Sequence, residues 1–310
     1  MTAASGPHLL IRMVRTVAAA AAWLAAVLTA PALTVATFNL ENYTLADRMV
    51  DGVFRQAYPK PEAEQAALIR VVAGIAPDIL AVQEMGGPPY LEEFRRALER
   101  AGQDFPFAVV LEGPDPDRHV AVLAKLPFRE VRRHARVPVT YFGREEAVKR
   151  GVLEVSFATA AGDLTLFVVH LKSKRTERPD DPEGAILRAR EAEAVRDLVL
   201  TRHPDPRRAR FIVCGDWNDT PNTRPVRALQ KRGETVVGEI LRATDSRGET
   251  WTQFYRAAEL YSRFDYLLVS PALRPHVAGG RALIWDGDGS GAGSDHRPVY
   301  LRLEFAAGAP

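Results

Sequence analysis

The sequence predicts an α/β fold in which two mixed β-sheets pack face to face with helices on the outside. Short apolar runs alternate with amphipathic helical stretches along the chain. In the middle and at the end, several strands follow one another with no helix between them, which argues against a purely parallel sheet. The 310-residue length favours two packed sheets over one.

The elements follow in order. LTVATFNL reads as the first strand, and EAEQAALIRVVAGIA as an amphipathic helix stopped by Pro77. DILAVQE is a strand, PYLEEFRRALERAG a helix ending at Gly102, and FAVVLEG and HVAVLAK are two further strands. KRGVLEVSFAT and DLTLFVVHLKS are strands joined through AAGD, a hairpin turn. The long helix GAILRAREAEAVRDLVLTR leads into the strand RFIVCGD, and FDYLLVSP, RALIWDG and VYLRLEF complete the strand set. No solenoid-length repeat and no low-complexity linker divides the chain.

The N-terminus has a different composition. Arg12 and Arg15 precede the uncharged run TVAAAAAWLAAVL and then TAPA, with Ala30 and Ala32 at the two small positions. Residues 1–32 are therefore expected to be a signal peptide, with one folded domain over 33–310 and a secreted or periplasmic location. A retained anchor is the alternative, since the uncharged stretch continues to Leu40, but Pro31 and the strand-like LTVATFNL interrupt it. After cleavage no stable membrane association is expected, and a monomer is expected.

Without Arg12 and Arg15 the 41 Lys and Arg fall to 39, equal to the 39 Asp and Glu. Global charge thus announces no polyanionic partner, and any such attraction must be local. The lone Cys214 excludes an internal disulfide, so the core carries stability unaided.

Polar residues collect at strand edges. The first strand ends at Asn39-Leu40-Glu41, DILAVQE at Glu84, TLFVVH at His170, and RFIVCGD at Asp216, with Asn218 just beyond. Asp265 starts its strand, and Asp295-His296 precede the last one. One such residue would be an ordinary turn or cap; six edges together describe one cleft. Glu41, Glu84, Asp216 and Asp295, with amides Asn39 and Asn218, are hard oxygen donors suited to Mg²⁺, Mn²⁺ or Ca²⁺. H-E-x-x-H, paired C-x-x-C and G-x-S-x-G motifs are all missing, which argues against zinc and serine hydrolase chemistry. His170 and His296, beside carboxylates, suit proton transfer near neutral pH. The set describes water attack on a phosphate ester.

These motifs, TFNLEN, PDILAVQEM, VCGDWNDTP, SRFDYLLVS and GSDHRPV, resemble those of the endonuclease/exonuclease/phosphatase (DNase I-like) superfamily, in the family's order and nearly end to end. The resemblance implies a four-layer α/β/β/α sandwich and metal-dependent phosphoester hydrolysis with Mg²⁺ or Mn²⁺. It implies Glu84 as principal metal ligand, helped by Asn39, Glu41 or Asp295. His296 would be general base or a phosphate-binding imidazolium, oriented by Asp265 or Asp295, while Asp216 and Asn218 position nucleophile and phosphate. His170 matches DNase I-like and several phosphodiesterase members. YFGREEAVKR looks like a DNase I segment and marks Arg144 as a phosphate contact, and Asp117 would hold His170. Trp217 departs from the usual Phe or Leu of G-D-x-N, and SRFDY stands where 5-phosphatases carry their own motif.

Lys172 and Lys174, leaving the cleft edge in HLKSKR, are candidates for phosphate-backbone contact, and RPDDPEG after them for a mobile flap. DGDGSG from Asp286 lacks the Glu of a calcium loop and reads as a flexible glycine loop. The leading expectation is a nuclease with DNA or RNA as substrate. The alternatives are a sphingomyelinase-like phospholipid or other phosphoester hydrolase, which would favour an exposed apolar hairpin beside the cleft that the sequence does not suggest, and a non-catalytic binding module, against which the complete residue set argues.

Overall fold

The computed structural model describes residues 32–305, so the expected signal peptide lies outside the described residues except for Ala32. In chain order the main elements are β1 (Leu33–Tyr43), α1 (Glu62–Ile75), β2 (Ile79–Met85), α2 (Pro88–Arg100), β3 (Phe107–Leu111) and β4 (His119–Ala124). Then come β5 (Phe128–His134), β6 (Val152–Thr159), β7 (Gly162–His170), α3 (Ala185–Arg202), β8 (Arg210–Asp216) and α4 (Arg224–Gln230). The chain closes with β9 (Glu239–Ile240), β10 (Ala243–Thr244), β11 (Asp265–Val269), β12 (Ala282–Ile284) and β13 (Val299–Leu303).

One sheet runs β10-β12-β13-β1-β2-β4-β3 and the other β9-β11-β8-β7-β6-β5. Each has a parallel pair at its centre, β1 with β2 and β7 with β8, flanked by antiparallel neighbours. A parallel pair needs a crossover, and α1 and α3 supply the two. Alternation along each strand sorts side chains between layers. Val35, Ile79 and Ala81 join Leu166, Val168, Ile212 and Cys214 between the sheets. Their sequence neighbours Ala36, Leu80 and Val82 face Leu68, Val72 and Phe94 of α1 and α2. Phe167, Val169, Phe211 and Val213 face Val195 and Val199 of α3. The result is the four-layer sandwich, with Cys214 buried in its middle and its thiol pKa pushed up by burial.

The polar-edge pattern now has a geometric cause. The C-terminal ends of β1, β2, β7 and β8 and the starts of their antiparallel neighbours β4, β6, β11 and β13 all meet at one rim. In register, His170 pairs with Asp216 and Asp216 with Asp265. Among the described residues, four two-stranded hairpins stand outside the sheets, including Ala46–Val50 with Val53–Tyr58 and Gln253–Tyr255 with Leu260–Ser262. Among the described residues, no helix is long and apolar enough to cross a membrane.

Candidate active site

The rim encloses a cleft of about 610 Å³ whose lining includes Glu41, Glu84, Asp216, Asn218, Asp295 and His296. Backbone irregularities aim several of these side chains. The ladder between β1 and β2 shifts register after Asn39, and that between β2 and β4 shifts at Glu84. Glu41, Asn42, Glu84 and Asn218 all hold positive φ, between 49° and 57°. Such conformations are costly for residues with a Cβ and gather at functional sites.

Asn39 is the hub of the floor. Its Nδ2 donates to Asp216 Oδ2 at 3.0 Å and Glu84 Oε1 at 3.3 Å, and its Oδ1 accepts the Glu41 N–H at 2.9 Å. Glu84 Oε2 accepts the Asn42 N–H, and Glu41 Oε2 accepts the Asp295 N–H, each at 2.9 Å. Asp216 Oδ1 accepts the Asn218 N–H at 2.8 Å. Gly215 in the same motif holds φ +133, and a Cβ there would sit 1.9 Å from the Val169 carbonyl oxygen, so the tight β7–β8 contact requires glycine.

His296 Nδ1 lies 2.8 Å from Asp265 Oδ2, while Asp295 comes no nearer the ring than 3.9 Å, at Nε2. Asp265 is therefore the carboxylate that orients His296, and Asp295 is held instead by Gln253 Nε2 at 2.8 Å. His296 Nε2 is 3.8 Å from Asp216 Oδ2, and His170 Nε2 is 3.4 Å from that same oxygen. Burial works against charging His296, but Asp265, Asp216 and Asp295 outweigh it and hold its pKa well above the ordinary imidazole range. Burial, with Arg150, His296 and Arg118 nearby, pushes His170 well below that range, leaving it neutral. Burial and the Asp295 charge raise Glu41 to about 7, and burial with the Asp265 charge raises Asp216 to about 7 against the opposing pull of His296.

The donor set fits a hard divalent cation: oxygen-rich, crowded with carboxylates, and with two of these pushed towards protonation. Asp216, Asp265 and His296 offer atoms within 4.8 Å of one another. His296 Nδ1 is engaged by Asp265 Oδ2, the other Asp265 oxygen is buried without a hydrogen-bond partner, and the cleft lining adds the carboxylates of Glu41, Glu84 and Asp295.

The structure gathers Asn39, Glu41, Glu84, His170, Asp216, Asn218, Asp265, Asp295 and His296 at this rim. The outer candidates divide. Lys174 lines the cleft, its Nζ 5.6 Å from the centre of the Phe264 ring. Lys172 turns its ammonium back onto the Ser173 and Arg175 carbonyls, bracing its own loop. Arg144 sits exposed on the Pro138–Tyr141/Arg144–Ala147 hairpin, outside the cleft lining, and Arg150 lines the wall instead. Asp117 does not hold His170, whose Nδ1 has no partner; it lies exposed, while Asp115 turns inward to Arg150 Nε at 3.1 Å. Within the expected flap, buried Asp181 accepts from Tyr141 and from the Ile186 and Leu187 N–H groups, which anchors that residue. The glycine loop lies against α1: a Cβ at Gly289 would meet the Ala67 carbonyl at 2.5 Å.

Sequence reasoning missed Arg118, Arg150 and Gln253. Both arginines sit just ahead of antiparallel strands, a place that shares the rim with the ends of β2 and β7. It also missed two apolar hairpins. Met49, Val53 and Phe54 on one, and Tyr255, Leu260 and Tyr261 on the other, are each at least 47% exposed. The signal for the first was Asp51-Gly52 between apolar pairs, a hairpin turn.

The family model described as Endonuclease/Exonuclease/phosphatase family matches residues 36–296. No curated protein sequence matches the chain. Among solved structures, the human nocturnin catalytic domain with bound sulfate is 16% identical, with 89% of this chain and 96% of that one covered, at a TM-score of 0.61. A family protein from Bacteroides thetaiotaomicron is 18% identical, covering 89% and 98%, with TM-score 0.61. Sphingomyelinase C from Streptomyces griseocarneus is 16% identical, covering 88% and 100%, also with TM-score 0.61. At these identities the likeness to solved structures is one of fold. The family match spans the first motif to the last, and the chain belongs to the endonuclease/exonuclease/phosphatase family of phosphoester hydrolases.

Proposed function

We propose that the chain is a secreted, Mg²⁺- or Mn²⁺-dependent phosphodiesterase, and specifically a nuclease acting on DNA or RNA. The observation that carries this reading is the His296–Asp265 contact at 2.8 Å, set beside Asp216 and across a floor of oxygen donors. A bound divalent ion at Glu84, with Glu41, Asp216 or Asp295, would polarise the phosphoryl oxygen and stabilise the leaving alkoxide. The carboxylates of Asp265, Asp216 and Asp295 favour the His296 imidazolium. Offset by a divalent charge beside Asp216 and Asp295, they would leave His296 Nε2 able to take a proton from the attacking water, while Asp265 stabilises the imidazolium that results. Neutral His170 would hold a phosphoryl oxygen, and Asn218, whose Nδ2 donates to the Leu171 carbonyl at 3.0 Å and to Asp216 Oδ2 at 3.2 Å, positions Asp216 between the two imidazoles. Hydrolysis of bis-p-nitrophenyl phosphate and of plasmid DNA, abolished by EDTA and restored by Mg²⁺, is the expected result; indifference to chelation would remove the reading.

A second reading, hydrolysis of a phospholipid headgroup, draws support from the two exposed apolar hairpins, which the sequence did not suggest. Both hang from the rim: Arg48 of the first donates to the Asn42 and Thr44 carbonyls, and Gln253 of the second holds Asp295. Sphingomyelin vesicles offered beside the nucleic acids distinguish the readings, since a nuclease leaves them intact.

A further inference from the structure

The cleft changes character along its length, and the strand order dictates how. Where β11 and β13 face each other lie Asp265, Asp295 and His296, with the Tyr255–Leu260 hairpin beside them. Where β4 and β6 face each other, the residues ahead of those strands are Arg118 and Arg150. Between these ends stand Asn39, Glu84, His170 and Asp216. The acidic and imidazole centre thus lies between the arginine pair on one side and the Tyr255–Leu260 hairpin on the other, where Lys174 also stands beside Phe264.

The basic end is built rather than incidental. Asp115 organises it: Oδ1 accepts the Asp117 and Arg118 N–H groups at 3.1 Å, its own N–H donates to the Lys149 carbonyl at 2.8 Å, and Oδ2 lies 3.1 Å from Arg150 Nε. Arg150 is 6% exposed and yet lines the cleft. Its Nε makes no aligned hydrogen bond, and its Nη1 reaches only the Leu171 carbonyl, at 3.4 Å. The Asp115 carboxylate balances the charge of Arg150, but of the five N–H donors in its fixed fork only one has an aligned acceptor, and an anion in the cleft would complete the rest. The same Leu171 carbonyl accepts Asn218 Nδ2 at 3.0 Å, which ties the basic end to the reaction centre through one backbone group.

The geometry points to a second anion subsite at Arg150, with Arg118 beside it, that takes a phosphate flanking the scissile one. The inference rests on the phosphodiesterase reading and narrows its substrate to strands that carry successive phosphates. A phosphocholine headgroup would instead bring a quaternary ammonium against two guanidinium charges.

The test uses the full chain with Mg²⁺, a single-stranded oligodeoxynucleotide and bis-p-nitrophenyl phosphate, which has no flanking phosphate. Arg150→Gln should lower the preference for oligonucleotide over bis-p-nitrophenyl phosphate, as a ratio of kcat/KM, at least tenfold and mainly through KM. In fluorescence anisotropy with the oligonucleotide and Ca²⁺, the slope of log Kd against log salt should fall by about 0.7, the value for one phosphate contact on a single strand. Arg150→Lys, which keeps the charge and loses the fork, should retain the slope and recover part of the affinity. An unchanged preference and slope in Arg150→Gln, or a Lys variant as impaired as the Gln variant, would overturn the subsite. If the wild type hydrolyses neither substrate but binds the oligonucleotide through Arg150, the phosphodiesterase reading fails and the subsite stands.

Discussion

At the residue scale, two aspartates flank His296 and only one touches Nδ1. Asp265→Asn should lower kcat by ~10²–10⁴, the range for disturbing an essential base, and Asp295→Asn should leave the base oriented and act through metal affinity. Steady-state kinetics at several Mg²⁺ concentrations separate the two; rescue of Asp265→Asn by excess Mg²⁺ would contradict the assignment. Glu41 and Asp216 give a pH prediction. Their pKa values rise from 4.5 and 3.8 to about 7, so between those limits the folded protein holds protons that the unfolded chain has released. The stability these protons confer is full below about pH 4 and lost as pH rises through about 7. A divalent cation competes with the same protons, so Mg²⁺ should raise the melting temperature more at pH 8 than at pH 6. An equal rise at both would place the ion elsewhere. These residues were legible because their types and their strand-edge positions both appear in the sequence. Which aspartate reaches Nδ1 was not, because a 2.8 Å contact depends on the register of β11 against β8.

At the element scale, α3 is more than the cover of a sheet. Buried Glu191 accepts the Lys149 N–H at 2.9 Å and the Lys172 N–H at 2.6 Å, while Arg188, one turn away, donates to Asp219 and to the Lys172 carbonyl. The helix thereby clamps the cleft ends of β7 and β8 together with the residue beside Arg150. Glu191→Ala leaves two partly buried N–H groups without acceptors, at most about 1–3 kcal/mol for each, and should show a loss in urea unfolding together with a fall in kcat. A variant as stable as the wild type would remove the clamp. Apart from β5, α4 and the short β9 and β10, the main strands and helices were readable from apolar periodicity. The hairpins at 46–58 and 253–262 were not, since alternation identifies two faces without saying whether another layer covers one. Arg144 and Asp117 were misplaced for a related reason: loop residues between strands carry no period that fixes which of them turns inward, and here Arg150 and Asp115 do.

At the scale of the whole molecule, a chain with balanced charge concentrates its electrostatics at one rim. Two crossovers with parallel strands at the centre of each sheet bring carboxylates and imidazoles to the same side, and antiparallel neighbours add the arginines. Full-length sequence pattern sufficed for that architecture, because five motifs each sit at a strand end and strand ends of packed sheets converge. The placement of the arginine pair on one side of the centre and the Tyr255–Leu260 hairpin on the other emerges only from the strand order in space. The most direct test of the account is hydrolysis of bis-p-nitrophenyl phosphate by the purified chain, wild type against Glu84→Gln, in EDTA and after addition of Mg²⁺. The wild type should turn over only with Mg²⁺, and Glu84→Gln should show none at any Mg²⁺ concentration. Equal turnover by both proteins, or turnover that persists in EDTA, would contradict it.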